Sequence, residues 1–232
     1  MRVKIYQIDP ERDKQRHIFC GLEELKVLSG STEIDPTIYE RVFNAQTAEL
    51  DLEDIFTIFN TVSHPLYCGT HMSVSDVVVI EESSFYKGAY FCDSIGFKKI
   101  DFDETKAESP ERLFKIVYVE PGRPAYAAEV ENSYIAESNA VLGYLEVIHN
   151  GDGTLIVCNE EGKIKGLHGN RHLDDGVSVV AGPFFIIGEA GEDFRSLTDE
   201  EISKYVQKYS EPEDISDDET QADSGITLLA FN

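Results

Sequence analysis

The sequence lacks any run of about 18 or more apolar residues, the length that a membrane-spanning helix needs. Its first residues, MRVKIYQIDPERDKQRH, become charged before the apolar segment of a secretory signal peptide could form. We therefore expect a cytoplasmic protein that does not bind a membrane. A hydrophobic fraction of 41% in 232 residues is still high enough to build buried cores.

Cysteine and the common catalytic motifs are also scarce. Cys20, Cys68, Cys92 and Cys158 form no C-x-x-C pair, which favours reduced thiols. No G-x-S-x-G motif, P-loop or G-x-G-x-x-G motif occurs. The Cys92 thiol is followed by Asp93 and could be a nucleophile, but a thiol inside the apolar run YFC is typical of a small buried group. The sequence thus predicts no catalytic residue and no enzyme.

Basic side chains are few compared with acidic ones. The chain has 20 Lys and Arg residues against 44 Asp and Glu residues, a formal net charge of −24. A field of that sign repels nucleic acid and anionic membranes, and it attracts basic surfaces such as the nucleic-acid groove of another protein. The alternative is that acidity only keeps the protein soluble.

Residues 1–103 carry the patterns of an α+β domain. Alternating or continuous apolar runs predict strands, and helical spacing with capping residues predicts helices. The predicted strands are 3–8, 73–80, 88–92 and 97–102, and the predicted helices are 21–28, 36–43 and 50–59. The charged segment 104–112 has one proline and no periodicity, so we interpret it as a linker.

Residues 113–209 carry the patterns of a second α+β domain. The predicted strands are 113–119, 125–130, 155–158 and 177–188, and the predicted helices are 134–145 and 197–209. Thr198 and Glu201 have the spacing of a capping box, which marks the start of the last helix. Residues 210–232 contain no basic residue and predict a disordered acidic tail. The expected fold is therefore two small mixed sheet-and-helix domains in tandem, followed by this tail.

Several motifs resemble two known families. VKIYQI at Val3 and DLEDIFTIFN at Asp51 resemble the YodL-like domain. VYVEPGRPAYAAEV at Val117, NRHL at Asn170 and SLTDEEISKY at Ser196 resemble a family of unknown function that is frequent in phages and conjugative elements of Firmicutes. The resemblance supplies no catalytic residue. It implies that the chain comes from the accessory genes of mobile elements, where counter-defence is a common task.

The charge and the resemblance together suggest a partner. Duplex DNA carries a negative charge about every 1.7 Å, so carboxylates on helices and loops can imitate its phosphates. We interpret the chain as a non-enzymatic phage or mobile-element protein that needs no cofactor and does not itself bind nucleic acid. Its expected partner is a basic nucleic-acid-binding protein of the bacterial host, such as a restriction or CRISPR effector that it would inhibit. The candidate contact residues are Asp51, Glu53, Asp54, Glu81, Glu82, Asp174, Asp175, Glu189, Glu192, Asp193, Asp199 and Glu200.

The polar segment 166–176 offers a different candidate site. Its glycine amides could face a nucleotide or another small molecule, with His168, Asn170, Arg171 and His172 as the binding side chains. The two histidines are four residues apart, a spacing that suits a metal on a helix, but the surrounding glycines favour a loop, and we predict no metal. In the structural interpretation, which we favour, Arg171 instead hydrogen-bonds nearby carbonyls or the acidic loop to hold the turn.

Overall fold

The computed structural model describes residues 1–61, 64–174 and 176–222. The chain divides into two compact units, Met1–Leu113 and Phe114–Asn232. Both units combine β-sheet with a few helices, and strands predominate, which confirms the α+β class. Within the described ranges, none of the helices has both the length and the apolar composition of a membrane span.

A five-stranded antiparallel sheet forms the centre of the first unit. The strands are β1 (Arg2–Ile8), β2 (Tyr39–Gln46), β3 (Val77–Glu81), β4 (Gly88–Cys92) and β5 (Phe97–Ile100), in the order β2-β1-β3-β4-β5. Two helices accompany the sheet, α1 (Leu22–Ser29) and α2 (Leu52–Thr61). The two strands and the turn predicted over residues 88–102 are confirmed as the β4–β5 hairpin.

Both faces of this sheet are covered, because a helix packs on each. On one face Ile5 lies opposite Phe43, whose ring contacts that of Phe59 in α2 at 4.8 Å between centroids. On the other face Leu25 of α1 packs with a buried cluster that includes Tyr6. Burying a large apolar side chain contributes about 1.5–3 kcal/mol, so these contacts hold the unit together.

The segment 36–43, predicted as a helix, is mostly strand. Only Pro36–Ile38 forms a 3-10 turn, capped by a hydrogen bond from the Thr37 amide to the Asp35 carboxylate. The chain then continues as β2, which pairs along its length with β1. The prediction was wrong because strand pairing with a distant segment outweighs a local helix signal.

The segment 104–112, predicted as a linker, belongs instead to the first unit. The Glu108 amide donates to the Tyr39 carbonyl at 2.9 Å, which joins the segment to β2. The Glu104 carboxylate accepts hydrogen bonds from Lys4 at 3.0 Å and from Tyr6 at 2.6 Å. Its charged residues therefore make tertiary contacts, which a search for apolar periodicity does not detect.

The second unit contains a six-stranded sheet and a separate two-stranded sheet. The larger sheet has the order β7-β6-β12-β9-β8, with β13 beside β12. Its strands are β6 (Leu113–Val119), β7 (Tyr126–Glu131), β8 (Leu145–His149), β9 (Thr154–Asn159), β12 (Phe184–Ala190) and β13 (Asp193–Arg195). The smaller sheet joins β10 (Gly169–His172) to β11 (Val179–Ala181), and the helices are α3 (Tyr134–Ala140), α4 (Asp199–Lys208) and α5 (Asp217–Ala222).

Helix α4 begins where the capping box predicts. The Glu201 amide donates to the Thr198 hydroxyl at 3.2 Å, and the Thr198 amide donates to the Glu201 carboxylate at 2.8 Å. Tyr205 and Tyr209 pack from this segment into the core, where the Tyr209 ring contacts that of Phe184 at 5.4 Å. A capping interaction contributes about 1 kcal/mol, and the buried rings add the larger share.

Helix α3 is shorter than predicted. The spacing predicts a helix over 134–145, but α3 ends at Ala140 and Leu142 has a left-handed backbone with φ 62°. Leu145 then begins β8, which pairs with β9. Strand pairing again replaces the end of a predicted helix.

Candidate functional site

The segment 166–176 is partly a strand, which corrects the expectation of a loop. Residues Gly169–His172 form β10 and pair with β11, with a register shift between Gly169 and Arg171. Asn170 is fully buried, and its side-chain amide donates to the carbonyls of Val119 and Gly182 at 3.0 and 2.8 Å. Asn170 therefore joins β10 to the rest of the unit and has no amide hydrogen left for a ligand.

Arg171 is also buried, with only 1% of its surface exposed. Its guanidinium donates to the carbonyl oxygens of Asn170 at 2.9 Å, Arg123 at 2.8 Å and Tyr209 at 3.2 Å. Burial lowers the pKa of the guanidinium, against the attraction of the Glu213 carboxylate. The contacts agree with a structural role through carbonyls, but they extend beyond the predicted turn, because Arg171 joins its own strand to the segments of Arg123 and Tyr209.

His172 is held between two carboxylates of the tail. Its Nδ1 lies 2.6 Å from Oε2 of Glu213, and its Nε2 lies 3.2 Å from Oε1 of Glu219. The hydrogen bond with Glu213 raises the pKa of His172, and the nearby Glu219 adds to this. His168 is far more exposed and lies 3.4 Å from Asp217. The two histidines therefore face acidic side chains of their own chain.

The tail prediction needs correction for residues 211–222. This part packs against the second unit, and it includes α5 with Thr220 buried. A β-carbon at Gly169 would lie 2.5 Å from Oγ1 of Thr220, so the tail approaches β10 closely at this glycine. Residues 223–232 lie outside the described residues. The acidic composition predicted disorder throughout. Ile215 and Thr220 nevertheless make packing contacts, which the overall composition of the segment does not reveal.

Sequence reasoning misses Glu213 and Glu219 as partners of His172. Their positions are 41 and 47 residues from the histidine, and no local pattern connects them. The only available signal is that Ile215 interrupts a charged segment, as a residue that anchors a tail would do. The contact therefore has to be read from the tertiary structure.

The predicted partner-binding carboxylates fall into both units. In the first unit, Asp51, Glu53 and Asp54 are exposed at the start of α2, and Glu81 and Glu82 follow one another at the end of β3. Glu81 is engaged by Lys4 at 2.9 Å. Because these residues lie at two sites and one is neutralised, they form a weak candidate surface.

In the second unit, five of the predicted carboxylates follow one another along a short stretch of chain. We call this set the acidic patch; its residues are Glu189, Glu192, Asp193, Asp199 and Glu200. Arg195 organises it, because its guanidinium donates to the Glu189 carbonyl at 3.1 Å and to both oxygens of Glu201 at 2.8 Å. These bonds connect the β12–β13 hairpin to the first turn of α4.

Most of the acidic patch is accessible to a partner. Glu192, Asp193, Asp199 and Glu200 are exposed, and Glu189 is half-buried. Asp199 lies 3.4 Å from Lys115, an exposed pair that contributes little. Asp174 is a separate exposed carboxylate 2.7 Å from Lys208, and Asp175 lies outside the described residues. The acidic patch is therefore the largest group of neighbouring predicted contact residues in the described chain.

The two buried cysteine thiols are poor nucleophiles near neutral pH. All four cysteines are free. Burial raises the pKa of both Cys92 and Cys158 to about 12, so neither is a thiolate near neutral pH. Among residues 1–61, 64–174 and 176–222, no group of three or more His, Cys, Asp or Glu side chains is placed to hold a metal ion.

Two family matches cover most of the chain. Residues 2–102 match the YodL-like domain, and residues 114–210 match the domain of unknown function DUF3846. Both matches confirm the resemblances read from the motifs, in the same order along the chain. No curated protein and no solved structure matches the chain significantly.

Proposed function

The chain combines a YodL-like domain with a DUF3846 domain, and from that premise we propose that it is a non-enzymatic protein whose acidic patch binds a basic protein partner. The observation that carries the proposal is that five predicted carboxylates lie on the β12–β13 hairpin and at the start of α4, two segments that Arg195 joins while its own charge is paired with Glu201. Within the described residues, Glu192, Asp193 and Glu200 are exposed and have no basic partner, whereas Asp199 lies beside Lys115 and Glu189 beside His149.

The physical basis is collective electrostatics. One exposed ion pair contributes about 0–1 kcal/mol, so no single carboxylate would carry the binding. An array of them raises the rate of association with a basic surface and makes that association sensitive to salt. The net charge of −24 adds a long-range field of the same sign.

The proposed partner is a nucleic-acid-binding protein of a bacterial host. Carboxylates on a hairpin and on a helix start can occupy positions that phosphates would take in a nucleic-acid groove. The resemblance read from the sequence implies accessory genes of mobile elements, which favours a restriction or CRISPR effector as the target and inhibition as the outcome. The chain would then act as a mimic of nucleic acid.

The experiment is capture of host proteins by the immobilised full chain at low salt, followed by elution with duplex DNA. We expect a nucleic-acid-binding protein to be retained and then displaced by DNA, because both ligands compete for one basic groove. Two variants locate the surface. The patch variant carries Glu192→Gln, Asp193→Asn and Glu200→Gln, and the control variant carries Glu23→Gln, Asp101→Asn and Glu111→Gln.

The two variants remove the same number of exposed carboxylates from different units. We expect the patch variant to lose the captured protein and the control variant to keep it. Retention of no nucleic-acid-binding protein, or equal retention by both variants, would refute the proposal.

A further inference from the structure

The first unit contains a cavity of about 290 Å³ beside β1 and β2. Apolar side chains form much of its wall, namely Ile8, Pro10, Ile18, Phe19 and Val42. This volume is at the lower limit of small-molecule sites, so it suits one short chain rather than a nucleotide.

Asp76 lines this cavity and is only 4% exposed. Its Oδ2 accepts hydrogen bonds from the Gln7 side-chain amide and from the Ser73 amide, both at 2.8 Å. Within the described part of the chain, no residue donates to its Oδ1. By comparison, both oxygens of Asp152 are bonded, one by Thr154 and the other by Tyr205. Oδ1 is therefore an acceptor of a buried residue that has no donor in the described chain, and it adjoins an open volume.

The other carboxylate, amide and thiol side chains around the cavity are already engaged. The Gln7 amide group donates to Asp76 and accepts from the Thr70 amide at 2.9 Å. The Glu40 carboxylate accepts hydrogen bonds from Arg112 at 3.0 and 3.2 Å. The Cys68 thiol donates to the Val42 carbonyl at 3.2 Å. Among these carboxylate, amide and thiol side chains, Asp76 therefore supplies the acceptor that remains for a ligand, its Oδ1.

Two further observations agree with a binding role. Phe19 and Ser75, which both line the cavity, have left-handed backbones with φ 64° and 82°, and strain of this kind concentrates at functional sites. Burial raises the pKa of Asp76 to about 7, while the bonds from Gln7 and Ser73 oppose this rise. A cation close to this buried carboxyl group would stabilise its ionised form, which burial disfavours.

We propose that this cavity binds a small cationic group on an apolar stem, an alkylammonium or alkylguanidinium whose head contacts Oδ1 of Asp76. The stem would lie against the apolar wall at Ile8, Ile18 and Val42. An anionic ligand is disfavoured because the acceptor is a carboxyl group and the chain is strongly acidic. This inference does not depend on the proposed function, since the acidic patch lies in the other unit.

The test is titration of the isotope-labelled full chain with n-butylammonium and n-butylguanidinium, followed by amide NMR. We expect saturable shifts at the residues that line the cavity. The neutral isostere n-butanol should bind at least about tenfold more weakly, because it lacks the charge that Asp76 recognises. Affinity for the cations should rise between about pH 6 and about pH 8 as Asp76 ionises.

Asp76→Asn is the decisive variant. The amide oxygen of Asn can still accept from Gln7 and Ser73, but a donor replaces Oδ1, so cation affinity should fall at least about tenfold. Asp101→Asn, an exposed carboxylate of the same unit, is the matched control and should leave affinity unchanged. Phe19→Ala, at a ring that is 69% exposed, should weaken binding a few-fold without disturbing the fold, and it keeps the test valid if Asp76→Asn misfolds.

The change of cation affinity with pH can be assigned to Asp76 because the other titratable groups near it keep their charge in this pH range. Tyr39, Tyr67 and Cys92 all have raised pKa values because of burial, so they stay neutral in this range, and Glu40 is held by Arg112.

A second experiment compares free butylamines with a peptide that presents one Lys among apolar residues. Tighter peptide binding identifies a protein side chain as the source of the cation, and equal binding identifies a free amine. The inference is overturned if neither cation gives saturable shifts, or if Asp76→Asn binds them as well as the wild type.

Discussion

The two units differ in how the hydrogen bonds of a buried charged residue are filled. In the second unit Arg171 is enclosed, and its two terminal nitrogens donate to the carbonyls of Asn170, Arg123 and Tyr209, while its buried Nε has no partner in the described chain. In the first unit Asp76 is almost as buried, but only one of its oxygens receives hydrogen bonds. The first arrangement holds a fold together, and the second leaves an acceptor in a cavity. A cluster of polar residues in a sequence therefore does not locate a ligand site unless an unfilled donor or acceptor faces an open volume.

The largest effect is expected at Arg171. Arg171→Met should destabilise the second unit by about 3–5 kcal/mol, because several buried carbonyls lose their donors at once. Urea unfolding monitored by tyrosine fluorescence measures the change. Arg16→Met, at an exposed arginine, is the control and should shift stability by less than about 0.5 kcal/mol. A change at Arg171 as small as that of the control would mean that its contacts do not stabilise the unit.

A smaller and opposite effect is expected at Asp76. Its folded pKa of about 7 exceeds the usual 3.8, so between these values the folded chain binds more protons than the unfolded chain. The free energy of unfolding should therefore fall as pH rises from about 4 to about 7. Asp76→Asn should remove this fall and raise stability by about 1–3 kcal/mol at about pH 8. Urea midpoints across this range measure it, with Asp101→Asn as the control, and an unchanged slope in Asp76→Asn would contradict the account.

The smallest effect is expected at His172, a partly exposed charge whose partners come from the tail. Its pKa is raised, mainly by Glu213, so the stabilisation is complete below about pH 6.5 and is lost as pH rises through the folded pKa. His172→Gln should accelerate hydrogen exchange of residues 211–222 about two- to fivefold at low pH, since a partly exposed pair contributes under about 1 kcal/mol. His149→Gln, at an exposed histidine, should leave this exchange unchanged. Equal exchange in wild type and His172→Gln would show that the tail is held by other contacts.

Local signals predicted much of the fold. The capping box at Thr198 and Glu201 marked α4, and alternation marked β1 and the β4–β5 hairpin. Prediction failed where distant pairing decides the structure. Residues 39–46 form a strand because β1 lies beside them, and residues 104–112 pack because their charges find partners in the first unit.

The candidate sites likewise divide into features visible in the local sequence and features that depend on distant contacts. The sequence located the exposed carboxylates of the acidic patch, because abundance of one charge is visible without a structure. It could not show that Asn170 and Arg171 are buried, since NRH reads equally well as a polar loop. It also gave no reason to single out Asp76 in SVSDVVVI, because the cavity is assembled from segments up to about 70 residues apart.

The most direct test of the central claim is the salt dependence of binding to a captured basic partner, measured for wild type, patch variant and control variant. If the acidic patch is the contact surface, the patch variant should bind at least about tenfold more weakly at low salt and should respond less to added salt. The control variant should stay within about twofold of wild type, and neither variant should change stability by more than about 0.5 kcal/mol. Equal weakening in both variants would mean that net charge alone governs binding, and the claim for the acidic patch would then fail.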